Sequence, residues 1–230
     1  MVVQQQNESG QAVRHRAWMS PCLFVAALGL SGLSFFLGPA DISPVDLLIG
    51  LFDGHGVAGV IAREIRFPRA ALALVVGAAL GASGAALQGL FRNPLADPAI
   101  VGVSAGASLG AVSVIVLGAT VLAPAMALFG IFTLPLAAFG GALAVTLVLY
   151  RISTRRGQTS VATMLLAGIA VGAMAMAFTG FLIFVADDRQ LRELTFWTLG
   201  SLAGSTWTKL WAAGPIILAA FAISPFLARG

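Results

Sequence analysis

The segment LQGLFRNPLADPAIVGVSAGASLG, residues 87–110, places a polar turn between two apolar, glycine-rich runs. Pro94 and Pro98 cannot continue a helix, because proline has no backbone N–H and its ring clashes with the preceding turn. Asn93 and Asp97 are turn residues, whose side chains bond to nearby backbone groups. The pattern therefore predicts a hairpin between two apolar helices.

The composition is that of an integral membrane protein. Of 230 residues, 59% are hydrophobic and 10% are charged, whereas soluble domains are about half apolar and a quarter charged. The net charge of +4 is spread between apolar runs, so nucleic acid is not an expected partner. One cysteine, Cys22, and two distant histidines, His15 and His55, indicate neither a disulfide scaffold nor a metal cluster.

A helix needs roughly 20 apolar residues to cross about 30 Å of hydrocarbon. The hydrocarbon offers no hydrogen-bond partners, so the backbone N–H and C=O groups must pair within the protein. The sequence therefore predicts an all-α integral membrane protein. Six spans are expected, at residues 18–37, 70–91, 99–122, 126–150, 161–185 and 208–228. The first is interpreted as a retained helix rather than a signal peptide, because no good cleavage site follows it. Residues 1–17 are predicted to be a disordered cytoplasmic N-terminus, and residues 18–230 one transmembrane domain.

The positions of the arginines decide the predicted orientation. The total of Lys and Arg is nearly balanced between the two sides, but Arg14 and Arg16 flank the first span, and the short loop at 151–156 has three arginines and no acid. Positive residues close to span ends favour the cytoplasmic side. Both termini are therefore predicted to be cytoplasmic.

Small residues four apart mark faces where transmembrane helices approach closely. Such pairs are Gly77/Gly81, Gly102/Gly106, Gly106/Gly110 and Gly168/Gly172. They predict a compact bundle. Gln88, Ser104 and Ser108 lie within apolar runs, where polar groups face either a neighbouring helix or a water-filled path.

Three stretches resemble the FecCD family, the permease subunits of bacterial ABC importers for iron-siderophore complexes, haem and cobalamin. They are IRFPRAALALVVGAALGASGAALQGLFRNPLADPAIVGVSAGASLGA at 65–111, TSVATMLLAGIAVGA at 159–173 and LTFWTLGSLAGSTW at 194–207. The resemblance implies a multi-pass permease of the bacterial inner membrane that forms the translocation path. It is nearest to the haem branch, with a ferric siderophore or cobalamin as the alternative cargo.

The resemblance also assigns residues by position. Arg66 and Arg69 match the periplasmic residues that receive the substrate-binding protein, where guanidinium groups pair with carboxylates; the alternative is that they anchor a helix end among lipid headgroups. Asn93 and Leu95 match one layer of the cytoplasmic gate. A second layer is matched by Thr159 and Ser160, which also suit a helix N-cap.

Met164, Gly168 and Gly172 match the helix that lines the path between two permease subunits, although core packing is an equally good interpretation of these residue types. The amphipathic segment 186–197 matches a short periplasmic surface helix. Relatives have about ten helices, so the chain is expected to be the N-terminal part of the family domain, truncated after its sixth helix.

The implied partners are a second permease copy in a homodimer, two ATP-binding cassette subunits, a substrate-binding protein and membrane lipid. The chain has no G-x-x-x-x-G-K-[ST] loop. It is therefore expected to be no enzyme and to bind no cofactor itself, with ATP and Mg²⁺ held by the ATPase subunit.

The sequence argues against two other classes of protein. An ion-coupled carrier normally has a carboxylate or histidine within a span, and the six predicted spans contain none. An intramembrane enzyme needs a nucleophile with its base, or a metal motif such as H-E-x-x-H, and both histidines lie outside the spans. A non-transporting structural subunit stays open as an alternative.

Overall fold

The computed structural model describes residues 2–227, with side chains at 18–19, 21–97, 99 and 101–223. Its α-helices are α1 (Val2–Phe36), α2 (Pro44–Asp53), α3 (Gly56–Val60), α4 (Phe67–Phe91), α5 (Val103–Leu117), α6 (Ala123–Phe129), α7 (Thr133–Ser153), α8 (Val161–Phe184), α9 (Asp188–Leu199) and α10 (Trp207–Leu227). The chain divides into two compact units. The first comprises the residues up to Leu80 and from Leu202 onward, and the second is Gly81–Ser201.

The all-α membrane fold predicted from the sequence is confirmed. Within the described residues, three helical segments are long and apolar enough to cross a membrane, namely Gly56–Phe91, Ala123–Ser153 and Val161–Phe184. The other three predicted spans contain shorter apolar helices, at Pro21–Phe36, Val103–Leu117 and Trp207–Ile223. Helix α5 has 15 residues, or about 22 Å at 1.5 Å per residue, which is short of a full crossing.

The N-terminal segment differs from the prediction. Helix α1 begins at Val2, inside the region 1–17 that was expected to be disordered. Apart from Gly10, this region contains no helix-breaking residue and is rich in glutamine, alanine and other good helix formers. The apolar helix that follows it can therefore extend back through it.

The first unit contains helical structure that the six-span prediction omitted. Helix α2 starts with Ser43, whose hydroxyl accepts from the backbone N–H of Asp46, and ends at Gly54 in a left-handed conformation (φ 72°). Helix α3 continues into a π-helix, Ile61–Arg66, which leads directly into α4. Leu47 and Ala62 are fully buried against Phe35 at the end of α1.

Helix α5 lies at the centre of the second unit. Its glycines allow the backbone of α7 to approach closely: a Cβ on Gly106 would lie 2.6 Å from the carbonyl oxygen of Gly141, and one on Gly110 would clash with Ala137. The close packing predicted for the glycines of α5 is thus observed. Gly77 and Gly81 instead face open space along α4.

A small hairpin joins α7 and α8. Strands β1 (Thr154–Arg155) and β2 (Gln158–Thr159) pair antiparallel, and the two residues between them, Arg156 and Gly157, have φ of 52° and 78°. Two consecutive residues with positive φ are typical of a type I′ hairpin turn. The hairpin holds the three-arginine loop in a defined conformation at the end of the α7 span.

Candidate functional site

Arg66, predicted to receive a binding protein, is buried. Its guanidinium donates hydrogen bonds to the carbonyl oxygens of Phe35 (3.1 Å), Phe36 (2.8 Å) and Ala40 (3.1 Å). The Phe35 and Phe36 carbonyls lie at the C-terminal end of α1, where carbonyl groups have no intrahelical partner and where a cation is favoured, and Ala40 lies in the segment that follows. Arg66 therefore ties the end of α1 to the start of α4.

Arg63 makes the corresponding contact with α2. Its Nε donates to the carbonyl oxygen of Leu51 at 2.8 Å, and a terminal nitrogen donates to Phe52. The π-helix Ile61–Arg66 thus holds the C-terminal ends of two preceding helices through two arginines. The sequence analysis missed this arrangement, because the acceptors lie 11 to 31 residues away along the chain.

Arg69 is exposed on the first turn of α4, and it forms no hydrogen bond or ion pair within the part of the chain whose side chains are described. Its guanidinium is free to meet a carboxylate. The two arginines of RFPR, which have equal status in the sequence, therefore have different surroundings in the structure.

The polar turn at 92–98 has the predicted local structure. Asn93 Oδ1 accepts from the backbone N–H of Leu95 at 2.9 Å, and Asp97 Oδ1 accepts from that of Ala99 at 2.6 Å. Arg92 has a positive φ of 48°. Leu95 is 82% exposed, so this turn presents an aliphatic side chain outward from a rigid backbone.

Ser160 is the N-cap of α8, which was one of the two interpretations of this residue from the sequence. Its hydroxyl accepts from the backbone N–H of Thr163 at 3.3 Å, while the hydroxyl of Thr159 lies 2.9 Å from that of Thr154 across the hairpin. Both residues remain exposed and line an open groove of about 540 Å³. Asn93 and Leu95 do not line this groove.

The polar turn at 92–98 and the hairpin that precedes α8 nevertheless lie at the same end of the second unit. A buried cluster of Val101, Val145 and Leu149 packs against Leu87 and Phe91 of α4. Phe91 directly precedes the polar turn, and Leu149 lies one helical turn before the end of α7 at Ser153. The candidate gate residues are therefore grouped at one end of the bundle.

The residues matched to a path-lining helix occupy different positions on α8. Gly168 and Gly172 are buried, and a Cβ on Gly102 would lie 2.9 Å from the carbonyl oxygen of Gly168 and 3.3 Å from Cα of Gly172. This contact gives the two glycines a packing role within the chain. Met164 is only partly buried.

The amphipathic segment forms helix α9, as its pattern predicts. A reciprocal capping box links Asp187 and Gln190, and Gln190 Nε2 also donates to the carbonyl oxygen of Val116 at 3.1 Å. Buried Leu194 packs on Val112 and Val116. The short surface helix is therefore fixed to the end of α5 by both apolar and polar contacts.

Apolar helices joined by structured polar turns define a multi-pass helical membrane protein. A family model described as the FecCD transport family matches residues 24–230. The chain belongs to this family, whose members are transport proteins rather than enzymes.

The curated relatives are permeases. The chain is 44% identical over 172 residues to the cobalamin import system permease protein BtuC of Halobacterium salinarum, covering 75% of this chain and 44% of the relative. It is 44% identical over 155 residues to the hemin transport system permease protein HmuU of Yersinia pestis, covering 67% and 45%. It is 38% identical over 200 residues to the vitamin B12 import system permease protein BtuC of Escherichia coli, covering 86% and 57%.

A solved structure of a metal-chelate type ABC transporter in an inward-facing conformation superposes with a TM-score of 0.67 at 25% identity, covering 88% of this chain and 61% of that one. The chain thus spans about half the length of the curated relatives it matches. The resemblance to FecCD permeases predicted from the sequence is confirmed.

Proposed function

We propose that this chain contributes the transmembrane permease of a binding-protein-dependent ABC importer for a metal chelate. The observation that carries the proposal is the family match across residues 24–230, supported by permease relatives at 38% to 44% identity. The energy would come from two ATP-binding cassette subunits, which bind ATP and Mg²⁺. The location would be the plasma membrane, with a cytoplasmic N-terminus.

Haem or another iron complex is the proposed cargo, and cobalamin is the alternative. Both kinds of relative have 44% identity to this chain, so overall identity does not separate them. Each cargo is a large metal chelate. A permease that passes such a molecule needs a weakly adhesive wall, since a strong ligand would trap it.

The contacts of the two arginines in RFPR favour Arg69 as the residue that meets the binding protein. Arg66 uses its guanidinium on three backbone carbonyls, whereas Arg69 is exposed. An exposed arginine can form a bidentate pair with a partner carboxylate and fix the docking register. Arg66 would support docking by holding the start of α4 in place.

Asn93, Leu95, Thr159 and Ser160 are proposed to form the cytoplasmic gate. They lie at one end of the second unit on turns whose backbones are held by side-chain hydrogen bonds. A rigid turn with exposed aliphatic and small polar groups can close against its copy in a homodimer and reopen without strong bonds to break. A cross-linking experiment on paired copies tests this arrangement.

For that experiment, Cys22→Ser supplies a cysteine-free chain, since Cys22 is the only cysteine. Asn93→Cys and Thr159→Cys are then treated with a short bismaleimide in membranes. Cross-linked dimers at either position are expected. Val121→Cys, on an exposed residue beyond the other end of α5, is the control, and equal dimer formation there would remove the gate assignment.

Gly168 and Gly172 have little surface left for a path, because Gly102 covers them. The face of α8 that could line a path between copies is instead an exposed one, on which Ile169 and Met176 lie seven residues apart and are 60% and 68% exposed. Methionine offers a flexible and weakly adhesive surface.

Uptake measurements test the proposed function. The permease is reconstituted with its ATPase subunits and binding protein, and uptake of haem, cobalamin and a ferric siderophore is compared. Uptake should require ATP and the binding protein, and should persist when an ionophore collapses the proton gradient. Uptake driven by the gradient without ATP would establish a secondary carrier, and no uptake of any chelate by the assembled complex would favour a structural subunit.

A further inference from the structure

A groove beside the start of α4, in the first unit, has no role in the functions proposed so far. It has a volume of about 360 Å³ and is lined by Leu51, Arg63, Glu64, Phe67 and Trp207. We call it the Glu64 groove. The Glu64 side chain is exposed, and it forms no hydrogen bond or ion pair within the part of the chain whose side chains are described. The groove therefore contains a carboxylate that is free to meet a cation.

The Arg63 guanidinium also lines the groove, but its charge is directed elsewhere. Its Nε donates to the carbonyl oxygen of Leu51, and a terminal nitrogen donates to that of Phe52. Both carbonyls lie at the C-terminal end of α2, where a helix has a partial negative charge. The charge of Arg63 is thus partly offset by α2, and Glu64 is left without a counter-charge.

Two aromatic rings form a wall of the Glu64 groove. Phe67 and Trp207 stack on one another, and Phe67 is 42% exposed. A cation is attracted to the face of an aromatic ring. The alkyl stem of a lysine or arginine also packs well on apolar surface while its charged head stays close to water. A free carboxylate beside stacked rings therefore fits a cationic side chain.

Free carboxylates outnumber free cations in this part of the first unit. Two of the three arginines between residues 40 and 69, Arg63 and Arg66, donate to backbone carbonyls, which leaves Arg69. A partner that presented only carboxylates would be attracted at Arg69 and repelled by the acids around it. The acids of this stretch are all exposed, and none forms an ion pair within the described side chains: Asp41, Asp46, Asp53 and Glu64.

The position of Glu64 along its helix favours a protein over a lipid headgroup as the source of the cation. The apolar helical segment Gly56–Phe91 has 36 residues, or about 54 Å, whereas the hydrocarbon is about 30 Å thick. The polar turn follows Phe91 directly, so the excess length lies at the other end. Glu64 precedes Phe91 by 27 residues. This places it about 10 Å beyond the hydrocarbon, at the outer limit of the headgroup region.

We infer that the Glu64 groove receives a lysine or arginine side chain of the substrate-binding protein. The ammonium or guanidinium group would pair with the Glu64 carboxylate, and its stem would lie against Phe67 and Trp207. Docking would then use two contacts of opposite sign on this chain, a guanidinium at Arg69 and a carboxylate at Glu64. Such a pair rejects binding proteins that present carboxylates alone. The inference rests on the proposed function, because it requires a binding protein.

Surface plasmon resonance with the binding protein immobilised tests the inference. Glu64→Lys should weaken binding at least about tenfold, because a repulsive charge replaces an attractive one, and Glu64→Gln should weaken it less. Phe67→Leu retains an apolar wall but removes an aromatic face, so we expect about a two- to fivefold loss. The unfolding midpoint of Glu64→Lys should match that of the unaltered chain, since Glu64 is exposed.

Asp41→Lys is the matched charge reversal. Asp41 is an exposed acid of the same unit that does not line the groove. At an ionic strength of about 0.15 M its effect on a cation in the groove is largely screened, and binding should change by less than about twofold. Equal losses in Asp41→Lys and Glu64→Lys would mean that only the overall charge matters, which would overturn the inference.

A charge exchange between the partners identifies the cation. Each lysine and arginine of the binding protein is changed in turn to glutamate and measured against the Glu64→Lys chain. One of these changes should restore most of the lost affinity, since the pair is re-formed with its signs exchanged. Restoration by none of them would overturn the inference. This test also remains decisive if Glu64→Lys lowers the unfolding midpoint.

The outcomes separate this inference from the proposed function. Normal binding by Glu64→Lys, together with weak binding by Arg69→Glu, would overturn the groove assignment and leave the importer proposal intact. No binding by the unaltered chain would overturn both. If Glu64→Lys binds normally but retains less phosphatidylethanolamine than the unaltered chain in native mass spectrometry, the groove holds a lipid ammonium group and the inference is wrong.

Discussion

Trp207 of α10 donates its indole N–H to the carbonyl oxygen of Arg63 at 3.0 Å. The reason for this bond lies in Pro68. In the π-helix the N–H of Phe67 bonds to Ala62, so the next donor in the i to i+5 series, which would serve Arg63, falls on a proline without an N–H. The indole supplies the missing donor, and its ring stacks on Phe67 with centroids 5.5 Å apart.

Trp207→Phe should therefore destabilise the first unit. The substitution keeps a ring that can stack on Phe67 but leaves the partly buried Arg63 carbonyl without its donor, at a cost of about 1–3 kcal/mol. We expect a lower midpoint of thermal unfolding in detergent. Trp211→Phe is the control, because Trp211 is 71% exposed, and an equal loss there would show that the indole bond is not the cause.

Substitutions of the two arginines of RFPR should have separate effects, one on stability and the other on docking of the binding protein. Arg66→Gln removes a buried cation that donates to three carbonyls, so we expect a loss of about 2–4 kcal/mol in the free energy of unfolding. Arg69→Glu alters an exposed side chain and should leave the unfolding midpoint unchanged. It should weaken the substrate-binding protein's affinity at least about tenfold, because a repulsive charge replaces an attractive one.

Surface plasmon resonance with the binding protein immobilised measures the second effect. Arg155→Glu, in the second unit, is the matched charge reversal and should bind normally. If Arg66→Gln were as stable as the unaltered chain and failed to bind, Arg66 would be the docking residue and the assignment to Arg69 would be wrong.

Features encoded locally could be predicted from the sequence. Length and apolarity identified the segments that contain α4, α7 and α8, and turn chemistry identified the hairpin at 92–98. Ser160 was recognised as an N-cap because serine before an apolar run satisfies free backbone donors. Helix α2 had a similar signal, with Ser43 before Pro44 and Gly54 at its end, but its 10 residues are too few to cross a membrane, so the six-span prediction did not include it.

Features that depend on distant partners could not be predicted. An arginine has the same sequence signature whether it is exposed, like Arg69, or buried on carbonyls 26 to 31 residues away, like Arg66. Gly168 and Gly172 likewise have a spacing that suits either a path or a packing contact. The packing contact becomes visible only in three dimensions, where Gly102 lies against both glycines.

Gly102→Ala should be strongly destabilising. Gly102 has a φ of 75°, and an added Cβ would lie 2.9 Å from the carbonyl oxygen of Gly168. Left-handed backbone costs a non-glycine residue about 1–2 kcal/mol, and overpacking adds about 1–3 kcal/mol. Urea or thermal unfolding in detergent should show the loss, while Gly140→Ala, an exposed mid-helix position with open space around it, should be neutral or slightly stabilising.

Gln190→Glu should loosen α9 without abolishing its cap. Gln190 uses its carbonyl oxygen to accept from the N–H of Asp187 and its amide nitrogen to donate to Val116. Glutamate retains the acceptor, so the capping box persists, but it replaces the donor to α5 with a negative oxygen facing a carbonyl.

We expect hydrogen exchange in α9 to rise by roughly tenfold, the equivalent of about 1.4 kcal/mol, because one partly buried hydrogen bond is lost and a repulsion is added. Gln158→Glu, on the exposed β2 strand, is the matched change of charge and should leave α9 exchange unaltered. Unchanged exchange in Gln190→Glu would mean that Leu194 packing alone positions α9, whereas faster exchange confined to α9 would identify the Gln190 amide as the bond that holds this surface helix on the end of α5.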